Sequence, residues 1–217
     1  MGQLPASRVT PCRPFLHTGV DYAGPLTLKT FRGRRAKTYK GYFVIFVCFS
    51  SSAVHLEVAT DYSTDGFLAA YKRFTGRRGL CSTLTSDCGT NFVDTDAELK
   101  RLFNASSREW AHIASQLAND GVKWNFHPPS ALHFGGKWEA GVKAVKFHLR
   151  RIIGEALLTY EELTTLLVQI EAILNSRPLS ALSDDPSDLA ALTPGHFLVG
   201  SALTAVPEPS LQDIPIN

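Results

Sequence analysis

Three acidic residues are distinguished by where they fall in the chain. Asp21 lies inside the apolar stretch 17–24 (HTGVDYAG), directly after Val20. Strand interiors seldom hold aspartate, and a buried carboxylate is costly unless a cation meets it. Asp87 follows the strand-like run 80–86 (LCSTLTS) and leads into Cys88-Gly89. Glu139 stands one turn into a helical pattern, just after Gly135-Gly136. Singly, each has a plain structural explanation: Asp before a glycine turn is a common turn or cap residue, and Glu in a first helical turn is favoured by the helix dipole. Together, three carboxylates could converge on one pocket and hold a pair of hard cations. Mg2+ prefers oxygen ligands in near-octahedral geometry and keeps some of its water. Two such ions about 3.5–4 Å apart can activate an attacking oxygen and stabilise a leaving oxygen in one in-line displacement, the chemistry of phosphodiester cleavage and transesterification. The cysteines (Cys12, Cys48, Cys81 and Cys88) form no C-x-x-C pair and have no paired-histidine cluster beside them. Neither a zinc site nor a disulfide framework is expected, and no His/Cys set competes for a softer metal.

The elements that must position these acids can be read from periodicity. Residues 17–24 predict a short strand stopped at Gly24-Pro25. Residues 29–40 (KTFRGRRAKTYK) hold six basic residues and no acid around Gly33 and predict a hairpin tip. The continuous apolar run 42–49 (YFVIFVCF) suits a strand buried on both faces. The alternating 53–59 (AVHLEVA) suits its antiparallel neighbour. A helix is predicted over 64–75 with Ser63 as N-cap; Lys72, Arg73, Arg77 and Arg78 lie near its C-terminal end, where cations suit the dipole. Strands at 80–86 and 122–126 enclose helical patterns at 92–103 and 108–119. His127-Pro128-Pro129 then opens a loop that runs to Gly135-Gly136. Further helices are predicted over 137–154 and 163–174, and Thr193-Pro194 reads as a helix start. An antiparallel meander followed by alternating helices and strands implies an α/β domain: a mixed sheet with helices on both faces.

The helix carrying Glu139 has two stripes. Trp138, Val142, Val145, Leu149 and Ile152 recur at helical spacing and predict a core-facing row. Glu139, Lys143, Lys146 and Arg150 form a second row, offset by one residue and so by about 100°. Glu139 and Lys143 could be an ordinary i,i+4 pair, but beyond it the row is purely basic. A basic row beside a metal-binding acid would hold a phosphate backbone in register with the reacting centre. In the preceding loop (SALHFGG, 130–136), Gly135 and Gly136 permit close approach and hinge motion. His133 and Phe134 could contact a nucleotide or equally pack the loop onto the domain.

With 217 residues, 44% of them hydrophobic, the chain can bury one real core. No apolar run approaches membrane-spanning length and no signal-peptide pattern opens the chain, so a soluble intracellular protein with no membrane partner is expected. The net charge of +2 conceals an asymmetry. Residues 1–154 hold 21 Lys and Arg against 11 Asp and Glu, whereas residues 155–217 hold one Arg against nine acids. A polyanion partner for the basic segment, or a basic domain packed beside an acidic helical tail, would each account for this.

Several stretches resemble the integrase core of retroviruses and LTR retrotransposons, within the ribonuclease-H-like superfamily, and the BEL/Pao group most of all. They are TGVDYAGP (18–25), SDCGTNF (86–92), HFGGKWEAGVKAVK (133–146), ILNSRPL (173–179) and LTPGHFLVG (192–200), in the family's order. The resemblance implies a ribonuclease-H-like mixed five-stranded sheet flanked by helices on both faces, with a core over 14–200, a lead-in over 1–13 and a flexible tail over 201–217. It implies that Asp21, Asp87 and Glu139 are the catalytic D,D,E triad and bind two Mg2+ (or Mn2+) ions. The implied activities are DNA 3′-end processing and strand transfer in the nucleus, on element-end DNA and target DNA, by a homodimer or higher multimer. Lys143 and Lys146 match lysines that contact element DNA in retroviral relatives; Arg150, Lys137, His133, Gly135 and Gly136 complete the expected nucleic-acid surface. The sequence departs from the family at two places. Cys88 stands where Asn is usual, and Cys is the weaker hydrogen-bonding group. The interval between Asp87 and Glu139 holds 51 residues, longer than in retroviral integrases. A catalytically weak, domesticated DNA-binding or assembly module is the alternative reading, and a nuclease for RNA–DNA hybrids a third.

Overall fold

The computed structural model describes residues 6–87, 107–127, 136–154, 156–185, 187 and 190–203. A single helical turn, α1 (Ala6–Val9), precedes three strands, β1 (His17–Lys29), β2 (Thr38–Cys48) and β3 (Val54–Ala59). Then follow α2 (Thr64–Arg78), β4 (Thr83–Asp87), α3 (Ser107–Asn119), β5 (Lys123–His127) and α4 (Gly136–Ile153). The chain continues through β6 (Leu158–Thr159), α5 (Tyr160–Asn175), β7 (Ser180–Ala181), β8 (Ala191–Leu192) and α6 (Pro194–Val199). The main sheet runs β3-β2-β1-β4-β5, antiparallel across the first three strands and parallel from β1 to β4 to β5; the two-residue β6 adds to the far end of β1. This is the expected mixed α/β sheet. The predicted helix over 92–103, the loop over 128–135 and the tail beyond 203 lie outside the described residues.

The sheet separates two apolar layers. On one face Phe43, Ile45 and Val47 of β2 pack with Trp138, Val145 and Leu149 of α4 and with Leu163, Leu167 and Ile170 of α5. On the other, Val44, Phe46 and Cys48 pack with Phe67, Ala70, Tyr71 and Phe74 of α2 and Ile113 and Leu117 of α3. Phe43 to Cys48 are therefore all buried, as the unbroken apolar run requires. Caps fall where the sequence places them or define new starts. The Ser63 hydroxyl accepts from Gly66 N at 3.0 Å. Thr159 and Glu162 form a capping box that begins α5 three residues before the predicted start.

Two expectations need correction. β1 does not stop at Gly24-Pro25: it continues through a cis Gly24–Pro25 bond, with its register against β2 shifting between Ala23 and Leu26. Pro25 is accommodated at this irregularity, where a missing N–H breaks no regular ladder. Ile152, expected in the core row of α4, is 56% exposed, and Ile153 packs against the core in its place. The 3.6-residue period carries the row from Leu149 four residues on. β3 takes its expected place as the antiparallel neighbour of β2, and every one of its six residues is buried despite the alternating sequence.

The polar residues of β3 are buried because charges come to them. His55 Nε2 lies 3.0 Å from Glu57 Oε1, and His55 Nδ1 lies 3.2 Å from Glu171 Oε2 on α5. Arg73 Nε donates to Glu57 Oε2 at 2.6 Å, Arg77 Nη1 to Glu57 Oε1 at 2.8 Å, and Arg78 to Glu171. The arginines at the end of α2 thus neutralise buried carboxylates as well as suiting the dipole. The outward backbone of β3 is satisfied in the same way. Leu56 N donates to Glu171 Oε2, Val54 N to Asn175 Oδ1, and Asn175 Nδ2 to Val54 O, each at 2.8 Å, while Arg73 Nη2 donates to Val58 O at 2.6 Å.

Burial opposes charge on all three titrating groups, but their partners prevail. Bonds from His55 and the arginines hold Glu57 and Glu171 below the ordinary carboxylate value, and the two carboxylates hold His55 above that of a free imidazole. The stability contributed by a raised histidine is complete below pH 6.5, its ordinary value, and is lost as pH rises through the folded value. The carboxylates contribute above their ordinary 4.5 and lose it as pH falls through their lowered values. Urea titrations of wild type and His55→Gln should therefore show a stability difference favouring wild type at pH 6 that shrinks toward pH 9; a pH-independent difference would contradict the charged His55.

Candidate metal centre and nucleic-acid surface

β1 and β4 pair in parallel from His17↔Thr83 to Gly19↔Thr85. Asp21 lies two residues beyond Gly19 on β1 and Asp87 two beyond Thr85 on β4, just past the last paired residues of these adjacent parallel strands. On its other side Asp21 pairs with Ile45 of β2, and Asp87 pairs with His127 of β5. Asp21 is half-buried and its Oδ1 accepts from Tyr22 N at 2.8 Å. Asp87 enters here as a backbone position, and its neighbour Cys88 lies outside the described residues.

α4 brings the third acid to this place. A Cβ on Gly19 would fall 2.3 Å from Trp138 Cε3 and 2.8 Å from the Phe49 ring, so the indole rests directly on the bare backbone of β1. Trp138 is fully buried and stacks with Phe49 at 6.0 Å. One turn on, a Cβ on Gly141 would fall 2.7 Å from Ile45 Cδ1, beside the strand partner of Asp21. The first turn of α4 is thereby seated over the segment of β1 that bears Asp21. Glu139 follows Trp138 by one residue, about 100° round the helix, and is exposed. The i,i+4 pair with Lys143 does not form: among the described residues Glu139 has no ion-pair partner.

The basic row takes its expected place, with Lys143, Lys146 and Arg150 all exposed along α4 beyond Glu139. Arg151 adds a cation, its guanidinium 5.2 Å from the ring centroid of the exposed Phe147. Lys137 differs. It is half-buried and turned toward the β2–β3 turn, where Nζ donates to Phe49 O and, at 3.0 Å, to Ser52 Oγ. Gly136 is the exposed first residue of α4. His133, Phe134 and Gly135 lie outside the described residues.

One group near Asp21 gave no periodic signal. Tyr62, in the turn before α2, joins Tyr22 and Tyr42 in a ring cluster with centroids 4.7, 5.5 and 6.2 Å apart. Burial, then the charge of Asp21, pushes the Tyr62 hydroxyl well above the ordinary phenol value. A neutral aromatic wall thus stands beside one acid of the site.

Oxygen donors alone at these three positions suit a hard divalent cation. The two aspartates on adjacent parallel strands, and a Glu139 without an ion pair to Lys143, fit such an ion. Among the described residues no three His, Cys, Asp or Glu side chains are gathered as a metal site.

A chain of the simian T-cell lymphotropic virus intasome in complex with PP2A regulatory subunit B56 gamma has a similar fold, with a TM-score of 0.55 at 14% identity over 97% of this chain and 64% of that one. The HTLV-2 integrase catalytic core domain in complex with magnesium (dimeric form) aligns at a TM-score of 0.48 and 16% identity, over 80% of this chain and 93% of that one. No protein-family model matches the sequence, and no curated protein matches it. At such identities the likeness is one of fold alone: a mixed sheet flanked by helices. The chain spans just under two thirds of the intasome chain it matches.

Because α4 is seated by Trp138 on Gly19, Gly19→Ala must displace the helix or the indole. Overpacking of this kind costs about 1–3 kcal/mol. The substitution should lower the urea midpoint accordingly and alter the near-ultraviolet circular dichroism of the buried tryptophan. An unchanged midpoint and spectrum would show that α4 is seated by other contacts.

Proposed function

We propose that this chain is the catalytic core of an LTR-retrotransposon integrase of the BEL/Pao type, a polynucleotidyl transferase that processes element DNA ends and joins them to target DNA. The observation that supports the reading is that the strands carrying Asp21 and Asp87 are parallel neighbours and that α4, which bears Glu139, is seated on β1 by Trp138 at Gly19. The core spans about 14–200, with 1–13 as lead-in and 201–217 as tail, and it works in the nucleus as a dimer or higher multimer on its two DNA partners.

Asp21, Asp87 and Glu139 would hold Mg2+ or Mn2+. When bound, such ions supply Lewis acidity to the attacking and leaving oxygens of an in-line phosphoryl displacement. The residues of the chain do the remainder. Lys143, Lys146 and Arg150 neutralise successive backbone phosphates and set the strand in register with the acids. Trp138, locked against β1, fixes the direction from which Glu139 approaches. The Tyr22–Tyr42–Tyr62 wall keeps one side of Asp21 apolar, which strengthens its interaction with a bound cation.

Cys88 favours a second reading, a core that retains DNA binding with weak or absent chemistry, because thiol replaces the stronger hydrogen-bonding amide beside Asp87. Disintegration assays on branched DNA with Mn2+ or Mg2+ separate the two. The transferase reading expects metal-dependent joining that Glu139→Gln lowers by about 1,000-fold, the rate equivalent of several kcal/mol of metal-ion stabilisation. Activity surviving that substitution would remove Glu139 from the centre, and an inactive wild type that binds DNA would leave the second reading. Cleavage of RNA–DNA hybrids in preference to DNA ends would favour a hybrid nuclease. For the basic row, Lys143→Gln and Lys146→Gln should each lower the slope of log affinity against log salt by about 0.9 on duplex DNA. Unaltered slopes would place the DNA elsewhere.

A further inference from the structure

A second cationic cluster lies on the other flank of α4. Lys137 and Glu139 sit on either side of Trp138, each about 100° round the helix from it. Lys137 reaches the turn between β2 and β3, residues 49–53. Arg177, just beyond α5, reaches the same turn: its Nη2 donates to Ser52 O at 2.7 Å and its Nη1 to Leu174 O at 3.1 Å. Arg8 of α1 lies over the Phe49 ring with its guanidinium carbon 5.6 Å from the centroid. Three cations from three separated parts of the sequence thus surround one serine-rich turn, Ser50-Ser51-Ser52.

The hydrogen bonds of Lys137 and Arg177 do not cancel their charge. Among the described residues neither Lys137 nor Arg177 has a carboxylate partner; carbonyl oxygens and one hydroxyl take the bonds they make. Lys137 has three N–H donors and uses two, and Arg177 has five and uses two. All three cations are only partly exposed, so like charges are brought together where water screens them incompletely. Burial, then the charge of Arg8, with Arg177 adding to it, holds Lys137 below the ordinary lysine value, and burial does the same to Arg177.

The turn has a residue of unusual backbone conformation at the point where two of them bind. Ser52 has φ 57°, in the left-handed region that non-glycine residues rarely enter. In this conformation Ser52 offers its hydroxyl to Lys137 and its carbonyl to Arg177. Strain of this kind persists only where the surroundings over-determine it, and it gathers at binding sites.

We infer that Arg8, Lys137 and Arg177 around the Ser50–Ser52 turn form a phosphate-binding site that takes a backbone phosphate of the bound nucleic acid, away from the scissile one. This rests on the nucleic-acid reading of the acidic centre: a strand crossing the first turn of α4 meets the acids on one flank and this cluster on the other. The site is distinct from the row formed by Lys143, Lys146 and Arg150, and it gives Lys137 a role that its inward orientation denies it there.

The test uses the full chain in EDTA, so that no chemistry intervenes, with fluorescence anisotropy of a labelled DNA duplex across a salt series. Arg177→Gln and Arg8→Gln should each weaken binding alike for unrelated sequences and lower the salt slope by about 0.9, while Arg177→Lys retains most of it. In parallel, inorganic phosphate should raise the melting temperature of wild type more than that of either glutamine variant. Glutamine variants with wild-type circular dichroism, slope and phosphate response would overturn the site. If Arg177→Gln fails to fold, Arg8→Gln decides by the same readouts. If wild type binds no duplex, the phosphate response decides alone: its loss in the variants sustains an anion site while the nucleic-acid reading fails, and its persistence overturns both.

Discussion

The contact on which the site depends is an indole laid on a strand that has no side chain beneath it. Gly19 leaves β1 bare at the one place where Trp138 must descend, and no larger residue fits there without moving the ring or Phe49. Helices on sheets ordinarily ride on a layer of side chains. Here one turn of α4 approaches the backbone itself, and the residue after that tryptophan is Glu139. The angular offset between neighbours on a helix then passes this packing constraint to the residues beside it, since burying Trp138 aims Glu139 and Lys137 to its two flanks. Gly141 repeats the device one turn later against Ile45, so the helix is fixed in rotation as well as in height.

The second constraint is electrostatic and lies at the edge of the sheet. Glu57 is 4% exposed and His55 1% exposed, and charges at that depth persist only when paired and hydrogen-bonded. α2 supplies Arg73, Arg77 and Arg78, and α5 supplies Glu171, so two helices on opposite faces of the sheet meet around one strand. This polar junction is a specification device more than a source of stability. It fixes the register of β3 against both helices, because each carboxylate accepts from particular donors at particular positions.

Much of this was legible in the sequence, and the reason differs from element to element. The run 42–49 could only be a strand covered on both sides, and the Trp138–Val145–Leu149 row could only face a core. The acids were legible by position: one inside a strand, one at a strand end, one beginning a helix. What escaped was whatever depended on partners distant in sequence. The alternation in 53–59 is a true signal of two-sidedness, but it cannot tell solvent from a guanidinium, and Arg73, Arg77 and Arg78 are needed to decide. Pro25 looked like a stop because the strand register that absorbs it belongs to β2. Lys137 was expected on the nucleic-acid surface, and its inward turn was hidden because its partners, Phe49 and Ser52, sit 85 residues or more away. Tyr62 beside Asp21 carried no periodic signal at all.

The covering of β3 has a consequence for how copies of this protein can meet. An edge strand normally exposes a ladder of vacant donors and acceptors, an invitation for a strand of another molecule to continue the sheet. In this fold Glu171, Asn175 and Arg73 already occupy Val54, Leu56 and Val58. A visiting strand would have to evict a buried carboxylate and leave its arginine unmatched. At this margin the sheet is closed to growth, and any assembly built here must be made from side chains meeting side chains.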